Sequence, residues 1–204
     1  MSQLAGMNPW LSMWSQPRAT VKALVSSKPS YGVYYLAAIY LLQSFFFYFN
    51  WWSLGLKSEY YTLFLTGVIL SPLVGFVWLY YMGWIFRFTG RVLHGEAPTS
   101  HLRTAIAWAK IPYSINALMW FILILMNPDQ VFVQDGGGPS SIFVNFITLI
   151  LGVWSLVLLI QSISEIQQFS ITRSIVNVVM AWVVSTFFLV LLFTLLRYIY
   201  ITAS

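Results

Sequence analysis

Four long stretches of this chain carry no Asp, Glu, Lys or Arg: residues 29–56, 60–86, 136–164 and 174–196. A bilayer core is crossed by about 20 apolar residues in a helix, so each stretch is long enough to span it. A fifth uncharged stretch, 111–128, has 18 residues. It extends backwards through TAIAWAK if Lys110 sits near the interface and snorkels. The predicted spans are about 33–54, 61–86, 104–126, 142–164 and 174–196. Only 7% of the residues are charged, against about 25% in an ordinary soluble domain. The spans must be helical, because lipid offers no partners to unpaired backbone groups. A membrane β-barrel would alternate in polarity along strands of about ten residues, and runs such as LLFTLL and LGVWSLVLLI do not. The predicted fold is all-α, a polytopic membrane protein with a five-helix transmembrane bundle over 32–204 and a separate amino-terminal segment over 1–31.

Lys and Arg in short loops set the orientation. Arg18, Lys22, Lys28, Arg87, Arg91, Arg103, Lys110 and Arg173 fall on one side of this topology, and only Lys57 and Arg197 on the other. That bias predicts a cytoplasmic amino terminus and an outer carboxyl terminus. The opening sequence lacks a basic stretch followed by a short apolar core, so no cleaved signal is expected. There is no cysteine, which excludes thiol chemistry and fits a bacterial cytoplasmic (inner) membrane. The net charge of +5 is scattered along the chain rather than clustered, so the partners expected are membrane lipids and not nucleic acid. Within PRATVKALV, Pro17 suits a first helical turn. Val21, Leu24 and Val25 share one face and Arg18 and Lys22 another, which predicts an interfacial amphipathic helix.

The polar residues inside the spans need an account. Gly75, Gly83 and Gly90 recur on one face of the second span and would let a neighbour approach closely, either within the chain or across a homo-oligomer. Pro72 predicts a kink. In the fourth span Gln161, Glu165, Gln168 and Thr172 follow a helical stripe. Arg173 and Asn177 open the fifth span at the same level, and Lys110 lies near the start of the third. An ionisable group at membrane depth usually pairs inside the bundle. Glu165 is therefore expected to pair with Lys110 or Arg173. The same stripe, with Gln43 near the centre of span one, would serve a small transporter, channel or lipid-moving protein.

Both histidines lie in HGEAPTSHLRTAIAWAKIPY, with Glu96 between them. His94, Glu96 and His101 are the ligand types of a two-histidine, one-carboxylate metal site. Pro98 splits the segment, however, and neither a cysteine nor a third histidine is available to complete a zinc site. Thr99 or Ser100 is the expected N-cap of the following helix. The better reading is a solvated loop or binding surface. No G-x-x-x-x-G-K-S/T, G-x-S-x-G or H-E-x-x-H occurs, and the glycines at 136–138 read as a flexible turn. With five acidic residues in all, no enzymatic activity and no cofactor are expected.

Three segments in order are similar to the Yip family, the Ypt/Rab-interacting five-span membrane proteins. NPWLSMWSQPRATVKALV resembles its opening, with Pro17, Arg18 and Thr20 matching a P-R-x-T-like element. GRVLHGEAPTSHLRTAIAWAKIPYSI resembles its glycine-containing loop and the span after it, through Gly90, Gly95, Pro112 and Tyr113. SEIQQFSITRSIVNVV is similar to its E-x-x-x-F-S turn, carried by Glu165, Phe169 and Ser170. Nothing here corresponds to the D-L-Y-G-P-like motif of eukaryotic members. The resemblance implies a five-span fold without catalytic residues. The function expected is that of a membrane-organising or adaptor protein, with protein partners on the cytosolic face.

Overall fold

The computed structural model describes residues 7–134 and 138–203, with side-chain detail over 7–134 and 143–201. The turn expected at Gly136 and Gly137 lies outside the described residues. The order is α1 (Pro9–Ser15), α2 (Pro17–Ser27), α3 (Val33–Trp51), a short 3₁₀ turn (Leu54–Leu56), α4 (Tyr60–Val92), α5 (Thr99–Trp108), α6 (Pro112–Met126), α7 (Gly138–Gln167) and α8 (Ile171–Ala203). Regular structure among the described residues is helical throughout. Four helices, α3, α4, α7 and α8, are each long and apolar enough to cross a membrane.

The predicted third span is broken. Helices α5 and α6 pass the same test only together, and they are bent by 47°. Pro112 explains the position of the break. Its nitrogen has no hydrogen to donate, and its ring would collide with the carbonyl four residues back. That carbonyl belongs to Trp108, the last residue of α5, and it accepts from Ile111 N at 3.2 Å instead. The pair nevertheless runs from one end of the bundle to the other. Just ahead of α5, Ala97 N bonds Gln167 at the carboxyl end of α7. Just beyond α6, Phe132 O accepts from Gly55 N at 3.0 Å and Val131 O from Asn50 at 2.9 Å. Those partners flank the two ends of α4, whose 33 residues extend about 50 Å. Counted as one broken crossing, α5–α6 makes five. Pro72 sits inside α4, which continues past it without interruption.

The amino-terminal segment packs on the bundle. Val21 and Leu24 of α2 and Met13 of α1 are fully buried in one cluster with Ile106, Trp108, Leu158 and Ile163. Their apolar face is covered by α5 and α7 rather than by lipid. Pro17 does open α2 in its first turn. The turn leading to α3 is closed by Trp108, whose Nε1 donates to Tyr31 O at 2.9 Å and whose ring stacks on Tyr31. Gly32 sits there at φ +69°, facing the Trp108 ring, so a side chain would meet strain and indole together.

The small-residue face of α4 is used within the chain. Gly75 lies against the backbone of Ala37, where a Cβ would come within 3.0 Å of the Ala37 carbonyl oxygen, so the small residue lets α3 and α4 approach closely there.

Candidate functional site

One end of the bundle is built from two helix ends of the same kind. Helix α4 finishes with His94 in the left-handed region at φ +65°. Gly95 N then donates back to Gly90 O at 2.8 Å, and His94 N to Arg91 O at 3.0 Å. Helix α7 finishes the same way, with Gln168 at φ +55° and Phe169 N donating to Ser164 O at 2.9 Å. The first is a full Schellman cap and the second shares its six-to-one bond, and in each a residue other than glycine occupies the left-handed position where glycine is usual.

The two caps are packed against each other. The Gln167 side chain lies on Gly90 and Gly95, and the Phe169 ring also presses on Gly95. Gln167 Oε1 accepts from Ala97 N at 3.2 Å, holding the loop that leads into α5. Ser164 then ties in the amino-terminal segment. Its hydroxyl donates to Phe169 O at 2.8 Å and accepts from Arg18 Nη2 at 3.1 Å. Arg18, Gly90, Gly95 and Phe169, distant in sequence, thus meet in one place. Beside them Lys22 Nζ reaches Glu165 Oε1 at 3.4 Å.

This arrangement corrects several expectations. Glu165 meets Lys22 and not Lys110 or Arg173, because α2 packs on α7 at the level where the carboxylate emerges. The polar stripe stops at Glu165, since α7 ends at Gln167 and Gln168 turns away, its Nε2 donating to Glu165 O at 2.6 Å. Thr172 belongs to α8. Gln161 is half-buried on α7, and Arg173 is exposed, its backbone N donating to the Ser170 hydroxyl. Asn177 is fully buried and donates to Thr89 Oγ1 at 3.0 Å, joining α8 to α4. The residues expected as one intramembrane cluster are therefore distributed over separate contacts.

The histidine segment is divided too. His94 is exposed at the α4 cap and Glu96 is exposed after it. His101 stands half-buried in the first turn of α5. No group of three His, Asp or Glu side chains able to hold a metal comes together among the described residues. Pro98, not Thr99 or Ser100, occupies the N-cap of α5, with no side-chain cap bond.

Lys110 has a different setting. It lies at the break between α5 and α6, with Nζ 4.7 Å from the centre of the Tyr40 ring and 5.5 Å from that of Tyr113. Next to it a buried chain of polar side chains crosses three helices. Asn116 Nδ2 donates to Gln43 Oε1 at 2.7 Å, and Thr148 Oγ1 donates to Asn116 Oδ1 at 3.0 Å. Gln43 Nε2 in turn bonds Tyr40 O and Ser44 Oγ.

Sequence reasoning missed Ser164, Gln167, Thr89 and Asn116. For Asn116 a signal existed, an amide within an uncharged run. Gln167 had none, because its role depends on two glycines about seventy positions away.

A family model, the Yip1 domain, matches residues 11–193. That range takes in Arg18, both caps, the broken span and most of α8. No curated protein and no solved structure matches the chain.

Proposed function

The chain belongs to the Yip1-domain family, and from that membership we propose that it is a non-enzymatic membrane-organising or adaptor protein. It works through a cytosolic face at the double-cap end of the bundle. The observation that carries this reading is the fastening of α1–α2. Buried Val21 and Leu24, the Arg18–Ser164 bond and the Lys22–Glu165 pair hold the segment on the bundle. Trp10 and Leu11, by contrast, remain exposed. A surface held in place loses less freedom when a partner docks on it than a loose tail would.

The lysine and arginine bias supports a cytosolic location for this end and an outer carboxyl terminus. The absence of cysteine supports a bacterial cytoplasmic membrane. Lipids and a peripheral or integral protein are the partners proposed; nucleic acid is not. A small-transporter reading would need a polar path, and the span-four stripe ends at Glu165.

A photo-reactive residue at Leu11, with one at Leu56 as control, tests the proposal in cells. A protein cross-link from Leu11 that is lost when Leu24→Asp undocks α2 is the expected result. Cross-links from Leu11 to lipid alone would overturn it.

A further inference from the structure

Between α3–α4 on one side and α7–α8 on the other lies a partly open cavity of about 980 Å³. Its walls are mainly apolar, with Phe47, Trp78, Leu149, Val153, Leu156 and Trp182 among them. Leu149 and Val153 are more than half exposed at its mouth. Along α3 the lining runs from Tyr40 to Trp51, about 16 Å of helix.

Lys110 stands partway along the cavity, which continues past it toward the double cap between Phe86, Ile106 and Leu159. The ion pair among the described residues is Lys22–Glu165, so Lys110 has no carboxylate there. Two ring faces attract its ammonium, but they carry no negative charge to neutralise it. The polar chain beside it offers little to a ligand, because Gln43, Asn116 and Thr148 already bond one another. What the cavity supplies is therefore one cation beside a long, mainly apolar slot whose lining residues Leu149 and Val153 are exposed.

We propose that this slot binds one anionic phospholipid. Its phosphate is taken by Lys110 Nζ between Tyr40 and Tyr113, and an acyl chain lies along Phe47, Leu149 and Val153. A zwitterionic lipid would fit the slot but brings its own ammonium to compete for the phosphate. The site is independent of the adaptor reading, and failure of one leaves the other standing.

The test is native mass spectrometry of the protein extracted from vesicles of equal parts phosphatidylglycerol and phosphatidylcholine. One phosphatidylglycerol should be retained per chain, favoured about tenfold over phosphatidylcholine, as expected for one charge-assisted hydrogen bond. Lys110→Gln should cut that retention about tenfold and Lys110→Arg should preserve it. Leu149→Trp, at an exposed position, should block the slot without changing the melting temperature. Equal retention of the two lipids, or retention of a free fatty acid instead, would overturn the proposal. So would undiminished phosphatidylglycerol in folded Lys110→Gln or Leu149→Trp. Should Lys110→Gln not fold, Lys110→Arg and Leu149→Trp decide the matter by the same criteria.

Discussion

The carboxamide of Gln167 occupies the space that a Cβ on Gly95 would need. This contact locks the end of α4 to the end of α7, and it makes Gly95 a steric requirement of the fold. Gly95→Ala is expected to lower stability in detergent by about 1–3 kcal/mol, the usual cost of overpacking a tight contact. Thermal melts of Gly95→Ala, Gln167→Ala and the double variant check it. If Gln167 is the obstacle, the double variant loses less than the sum of the two singles.

His94 holds a left-handed backbone conformation at φ +65° while its ring is exposed. Glycine reaches that conformation without the steric penalty of a Cβ. His94→Gly should therefore leave the fold intact and raise its stability by up to about 1 kcal/mol. A destabilised variant would mean that the imidazole has a partner the cap geometry does not explain.

The Lys22–Glu165 pair is partly exposed, with 63% of the lysine side chain accessible. Exposed pairs contribute about 0–1 kcal/mol. Glu165→Gln is accordingly expected to change stability by less than about 1 kcal/mol, and Ser164→Ala by more. Loss of the Ser164 hydroxyl leaves the carbonyl of buried Phe169 without its partner, a cost of about 1–3 kcal/mol, while exposed Arg18 turns to solvent. Parallel denaturation of the two variants gives the order, and the reverse order would contradict this account of the site.

Leu24 is fully buried between α2 and the bundle. Leu24→Ala should cost about 2–5 kcal/mol. It should also expose Arg18, Lys22 and Lys28 to trypsin, while the transmembrane helices remain protected. Unchanged digestion kinetics would favour a segment that lies on lipid.

Much of the architecture is legible in the distribution of charge. The uncharged stretches locate α3, α4, α7 and α8 to within a few residues at most ends, because lipid excludes charge more strictly than any local propensity acts. The break at Pro112 was within reach too. A proline four residues after Trp108 is a local signal, but the length of one bilayer crossing argues for a single continuous helix there. The pairing of Glu165 was not legible, because periodicity places a residue on a face without saying which helix covers that face. Nor were the caps. His94 and Gln168 occupy positions where sequence reasoning looks for glycine, so the periodicity carries the polar stripe through Gln168 to Thr172 although α7 ends at Gln167. The apolar side of α2 fits lipid and protein equally well. Only the buried positions of Val21 and Leu24 distinguish the two.

The broken span also bears on how the chain enters a membrane. Helix α5 has 10 residues and α6 has 15, roughly 15 Å and 22 Å of helix, and neither alone reaches across the roughly 30 Å of hydrocarbon. The bend leaves backbone groups at the break that need cover inside a bilayer, so helices already in place favour its insertion. During synthesis the available wall is α3–α4, the hairpin brought together at Gly75 and Ala37. The order of helices along the chain then becomes an order of assembly, in which the second crossing has to be settled before the third can follow.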